Sequence, residues 1–172
     1  MTNKSTKSGF TIIELMVSMA IAAVLISVAL PAFTSFITQR TMASRVNDFV
    51  LAVNYARSEA AKLGGVVSVQ AGAATADNEW GGGYCVVAGN PGDCDPPVLR
   101  AFAPLDNATL NGEGALNGRT TLSFNSRGML LLALGADARV ELCGGDADDD
   151  PGREVRISAI GRPDANELVC FP

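Results

Sequence analysis

Between Gly9 and Phe33 the chain carries a single charged residue, Glu14, which stands inside an apolar segment of membrane length. A segment this long and apolar reads as a membrane-spanning helix. A carboxylate at the centre of such a span costs roughly 2.5 to 3.5 kcal/mol, so charges there usually mark a partner or a function. Glu14 therefore calls for a cation.

The preceding residues indicate where that cation comes from. Met1 to Gly9 is short and polar, contains Lys4 and Lys7, and has no apolar region of its own. In an ordinary secretory signal the hydrophobic stretch precedes the cleavage site and is discarded. Here a cut after Gly9 would leave the hydrophobic helix on the mature chain and create a new amine at Phe10. Four residues apart, Phe10 and Glu14 share a helix face. In a packed array the Phe10 amine of one subunit would neutralise the Glu14 of its neighbour.

Gly9-Phe10-Thr11-Ile12-Ile13-Glu14-Leu15 resembles the processing site of type IV pilins and of the pseudopilins of type II secretion. The resemblance implies cleavage between Gly9 and Phe10 by a prepilin peptidase, methylation of the new N-terminus, and a role for Glu14 in membrane extraction and filament register. It also implies other pilins or pseudopilins and an inner-membrane assembly platform as partners. The location it implies is the bacterial inner membrane, single-pass with the head in the periplasm, and then a filament.

The helical pattern continues past the membrane segment. Val46, Phe49, Val50, Val53, Ala56, Ala60 and Leu63 fall at three- and four-residue spacings, and Gly64-Gly65 ends the helix. A helix from Phe10 to Leu63 would be about 80 Å long, so its second half is expected to pack against the rest of the chain. Pro31 lacks an amide donor and clashes with the preceding turn, which predicts a kink or local melt. The expected division is a leader over 1–9, a membrane and assembly half-helix over 10–33, an amphipathic half over 34–63 and a β-rich head over 64–172.

Beyond Gly65 the pattern shortens to strand-like runs: Val66 to Gln70, Tyr84 to Ala88, Val98 to Phe102, Thr120 to Phe124, Met129 to Leu134, Arg139 to Cys143, Glu154 to Ser158 and Leu168 to Phe171. Met129 to Leu134, flanked by glycines, is expected to be a buried strand. The Asn/Gly-rich stretch from Ala103 to Arg119 reads as a long loop, and its Asn107-Ala108-Thr109 is a weak glycosylation signal. The fold class that follows is α+β, a pilin-like lollipop with one long helix on a mostly antiparallel head.

Within the head, Asn54 to Ala60, Trp80 to Val87, Val98 to Arg100, Phe124 to Gly128 and Ile157 to Arg162 occur in the order seen in the GspH/FimT pseudopilin family. That family includes the minor pseudopilin H of type II secretion and the FimU/FimT minor pilins. The resemblance implies a filament subunit present in few copies, near the tip. Residue by residue, structural roles are expected: Arg57 and Glu59 as solvated or ion-paired flanks, Trp80 at a sheet edge, and Gly81 to Gly83 as a tight approach into a strand.

Four cysteines follow the membrane segment, which suggests disulfides in an oxidising compartment. Three pairings are open to them. Short sequence separation favours Cys85 with Cys94 and Cys143 with Cys170. Metal binding by the cysteines is disfavoured, since the chain has no His and no C-x-x-C spacing. Without His the usual nucleophile and base pairs cannot be assembled, so no catalytic site and no cofactor are expected. The acidic run Asp146 to Asp150 could offer oxygen ligands to Ca²⁺, but it lacks the EF-hand spacing and reads as a solvated turn.

The chain has 13 basic and 18 acidic side chains, a formal net charge of -5, and losing Lys4 and Lys7 would leave -7. A surface of that sign gives no general attraction to phosphate backbones. Some FimT-like pilins capture DNA with a Gly-Arg-x-Arg motif. This chain reads Gly161-Arg162-Pro163-Asp164, with an acid in place of the second arginine. A DNA-binding pilin acting in uptake is thus the alternative reading, and it requires Arg153, Arg156 and Arg162 to converge.

Overall fold

The computed structural model describes residues 10–76, 78–95, 97–131, 135, 137–144 and 151–170, and it divides into two compact units, Met1–Arg40 and Thr41–Pro172. Helix α1 (Ile12–Leu63) begins in the first and ends in the second. The helix is continuous through position 31, so the proline does not end it.

In the first unit every described side chain from Phe10 to Arg40 is exposed, Leu15, Val24 and Phe33 among them, and the helix is long and apolar enough to cross a membrane. From Met42 onward one face becomes buried. Met42, Val46, Phe49, Val53, Ala56 and Ala60 repeat at the spacing of a single helix stripe. Each large apolar side chain on that stripe contributes about 1.5–3 kcal/mol of transfer free energy. Leu63, expected on the same stripe, is 55% exposed. The helix closes at Gly64, whose φ of 66° suits glycine, while the amide of Gly65 donates to the Ala60 carbonyl at 3.3 Å.

Two four-stranded antiparallel sheets cover the stripe. The first contains β1 (Val67–Ala71), β2 (Tyr84–Ala88), β3 (Val98–Phe102) and β5 (Thr121–Phe124) in the order β3-β2-β1-β5. The second contains β4 (Ala108–Gly114), β6 (Ala138–Gly144), β7 (Pro151–Ile157) and β8 (Pro163–Val169) in the order β4-β6-β7-β8. Strand β6 shows the alternation of a half-buried strand, with Ala138, Val140 and Leu142 inward. With Val67, Val69, Val86, Leu122 and Phe124 of the first sheet they form one core on Phe49 and Val53.

Two expectations about the strands are corrected. The Ala103 to Arg119 stretch contains strand β4, whose Leu110 is buried while its other side chains are small or polar, so no apolar run marks it. Met129 to Leu131 are not a buried strand. Leu130 makes an isolated bridge to Phe124, Met129 and Leu131 are 39% and 53% exposed, and residues 132–134 lie outside the described ones. Trp80 does lie beside a sheet edge, its amide donating to the Leu110 carbonyl of the edge strand β4, while its ring is fully buried in the core, 5.4 Å from that of Phe49 and near-perpendicular to it.

Candidate functional site

The N-terminal turn of α1 assembles Phe10, Thr11 and Glu14. Thr11 stands just before the first helical residue. Its hydroxyl accepts the Glu14 amide at 3.3 Å, and its own amide donates to Glu14 Oε2 at 3.4 Å. The Thr11 hydroxyl also lies 3.4 Å from the same carboxylate oxygen. These are long bonds, but their reciprocal pattern is a capping box, threonine at N-cap and glutamate at N3. Glu14 therefore has donors within its own chain, besides the neighbour's amine inferred from the sequence. Thr11 was not singled out there, although the Thr-x-x-Glu spacing carries the signal. A carboxylate in the first turn is also favoured by the helix dipole. Phe10 is 76% exposed beside it. Gly9 lies outside the described residues.

In the head, the cysteines form Cys85–Cys94 and Cys143–Cys170, the pairing that short separation favours. The first pins the segment after β2 across the outer face of the first sheet. There Ser68 donates to the Gly89 carbonyl at 2.6 Å, and the buried Gln70 side chain donates to the Gly92 carbonyl at 3.0 Å and accepts from Thr121 at 2.7 Å. The second joins β6 to the residue after β8, passing over β7 at Gly152.

Three of the family-like segments take structural roles. Arg57 Nε donates to the Gly128 carbonyl at 3.0 Å, so it is a tie to the turn after β5 and not a solvated flank, whereas Glu59 pairs with Lys62 at 3.2 Å. In that turn Asn125 Oδ1 accepts the amides of Arg127 and Met129, and Gly128 has φ 69°. Gly81 and Gly82 leave no room for a Cβ against Asn78 and Ala73, and Gly83 has φ 94°, so these glycines do give β2 its tight approach. The segment ahead of them seals the outer edge of β4. Asn78 Oδ1 accepts the Leu110 amide at 2.9 Å, Trp80 N donates to the Leu110 carbonyl at 3.0 Å, and the buried Glu79 carboxylate accepts the amides of Gly112 and Gly118 at 2.9 and 2.8 Å. An edge strand satisfied in this way offers no template for pairing with another chain. Glu79 has no signal in the sequence because its partners are backbone amides, one in strand β4, which composition hides, and one in the turn after it.

The three arginines on which DNA binding would depend do not all converge. Arg156 and Arg162 line a cleft of about 360 Å³ at the end of the second sheet, with Ser158, Asp137 and Asp164. Arg156 Nε donates to Glu154 at 2.6 Å, which holds the guanidinium above its ordinary pKa. Arg153, three residues earlier on β7, points to the opposite sheet face and pairs with Glu167 at 3.4 Å. Asp137 is held below the ordinary carboxylate range by its hydrogen bond to Arg139. The cleft is thus mixed in charge. Asp146 to Asp150 lie outside the described residues, and among the described ones no three His, Cys, Asp or Glu side chains are grouped to hold a metal.

A long helix, apolar and exposed in its first half and packed on antiparallel sheets in its second, is the type IV pilin fold. Two crystal structures of the type IV minor pilin FimU from Pseudomonas aeruginosa PAO1 share it. One matches with a TM-score of 0.60 at 22% identity, covering 76% of this chain and 92% of FimU. The other matches with a TM-score of 0.58 at 23% identity, covering 72% and 91%. No curated protein matches the sequence. The chain belongs to the type II transport protein GspH family, whose model matches residues 45–161, and the prokaryotic N-terminal methylation motif matches residues 4–30. It is a pilin or pseudopilin subunit.

Proposed function

We propose that this chain is a minor subunit of a type II secretion pseudopilus or a type IV pilus, joining the tip complex that primes filament assembly. In this reading a prepilin peptidase cuts between Gly9 and Phe10 and methylates Phe10, and Glu14 directs extraction and register through the Phe10 amine of a neighbour. Pro31 supplies flexure to the helix, and the inner-membrane platform receives the subunit with its head in the periplasm. The observation that carries the proposal is Glu14 in the first turn of an apolar helix whose described side chains are exposed as far as Thr41. An apolar surface of that extent needs lipid or other helices around it.

The first test is the mass and N-terminal sequence of the protein recovered from its host's membranes. A mature chain starting at methylated Phe10 is expected, and an intact leader in a host with an active prepilin peptidase would overturn the proposal. Deleting the gene then separates the two filaments, through loss of secreted enzymes or loss of pili. The alternative, a DNA-binding pilin, has less support because Asp137 and Asp164 share the cleft of Arg156 and Arg162. Retardation of duplex DNA by the protein at low salt would revive it.

A further inference from the structure

We propose that Phe36 and Arg40 form a binding site for the phosphate of a phospholipid headgroup and thereby fix the depth at which α1 sits in the membrane. This rests on the membrane reading above. Arg40 is the first charged residue after Glu14, and the compact N-terminal unit ends on it. Its guanidinium carbon stands 5.0 Å from the centre of the Phe36 ring, one helical turn earlier. Phe36 is 50% exposed and Arg40 is exposed. Among the described residues no carboxylate pairs with Arg40.

The aromatic ring holds the cation along the helix, and the exposed guanidinium keeps a planar set of donors for a ligand. That set matches a phosphate with two parallel hydrogen bonds. Aromatic rings at headgroup depth and long basic side chains reaching out of the hydrocarbon are the usual anchors of a spanning helix. A free phosphate ion offers the same oxygens. The lipid is favoured because the helix on the N-terminal side of the pair is exposed and apolar.

The spacing has a consequence for Glu14. Arg40 and Glu14 are roughly 39 Å apart along the helix at 1.5 Å per residue. The hydrocarbon core is about 30 Å thick, and the bilayer with its headgroups about 40–45 Å. Because the guanidinium lies back over Phe36, one turn nearer Glu14, a phosphate held there is only about 33 Å from Glu14 along the helix, which sets Glu14 at the opposite edge of the hydrocarbon core. The carboxylate then rests at the border of the polar layer until assembly and bears only part of the cost of a charge at the bilayer centre.

The test uses the full-length protein in phosphatidylglycerol/phosphatidylethanolamine vesicles. All four native cysteines are paired, so a single added thiol reacts alone. Glu14→Cys and Val24→Cys are labelled with a membrane-impermeant maleimide present on both sides. The thiolate is the reactive form, and a charge at mid-bilayer is costly enough to slow Val24→Cys roughly a hundredfold relative to Glu14→Cys. Adding Arg40→Gln should slow labelling of Glu14→Cys about fivefold, the equivalent of the ~1 kcal/mol that one basic residue contributes at a membrane surface; Arg40→Lys should retain most of it. If Val24→Cys is protected and Glu14→Cys equally so, the span stands and the proposal fails. Equal, fast labelling of both would mean the helix does not span, and would overturn the membrane reading with it. If Arg40→Gln changes nothing, or inorganic phosphate reproduces its effect, the headgroup site is overturned.

Discussion

Gly152 and Cys170 are packed so closely that a Cβ on Gly152 would collide with the Cys170 sulfur and with the Leu142 carbonyl. Glycine on β7 is what lets the Cys143–Cys170 bridge cross from β6 to the end of β8. Gly152→Ala should therefore cost about 1–3 kcal/mol of stability through overpacking. In a Cys143→Ala/Cys170→Ala background the penalty should shrink, because one of the two clashes is gone. Urea unfolding of the four variants closes that cycle, and equal penalties in both backgrounds would refute the account.

Glu79 accepts two backbone amides, those of Gly112 and Gly118, in a buried position. Hydrogen bonds to a charged group contribute about 1.5–3 kcal/mol. Glu79→Ala should lower stability by roughly that amount or more, with Glu79→Gln intermediate. Hydrogen exchange should show the Gly112 and Gly118 amides losing protection first.

Burial of Tyr84, with Asp48 adding to it against Arg45, pushes its phenol well above the ordinary value near 10. The folded state therefore keeps the proton that the unfolded chain gives up. The stability tied to this group is complete below about pH 10 and falls as pH rises past it, by up to about 1.4 kcal/mol per pH unit. Tyr84→Phe should remove that alkaline loss, and thermal unfolding between pH 9 and 11 in steps measures it.

Thr11 and Glu14 separate capping from charge. Glu14→Gln keeps an acceptor for the Thr11 amide but loses the carboxylate. It should be cleaved normally yet enter filaments poorly, as should Glu14→Ala, and immunoblots of sheared filaments against membranes report the ratio. Thr11→Ala removes only the cap, worth about 1 kcal/mol. Its expected effect is fraying of the first turn, read as faster exchange of the Glu14 amide that the Thr11 hydroxyl accepts, with incorporation largely kept.

Much of this architecture was legible because it depends on local pattern. The apolar run, the Gly64-Gly65 stop, the stripe from Val46 to Ala60 and strands such as Tyr84–Ala88 each follow from spacing and turn residues. The segment carrying Glu14 was legible too, since one carboxylate at the head of a charge-free run contrasts sharply with its surroundings. Local pattern failed where a segment's state depends on distant partners. Strand β4 carries one large apolar side chain and is held by Asn78, Glu79 and Trp80 from another part of the chain. Met129 to Leu131 are apolar enough for a strand but meet β5 in a single bridge.

By itself, then, the sequence determined the helix, its polarity from apolar to amphipathic, the motif at its start and the existence of a β-rich head. Those features depend on residues a few positions apart, whose periodicity is written in the chain. Only the tertiary structure decided that Trp80 is core, that two sheets divide the strands, that Gly152 underlies a disulfide, and that Arg153 faces away from Arg156. Each of these is a contact between residues far apart in the chain, and long-range contact is set by how whole faces pack, which no short window of residues encodes.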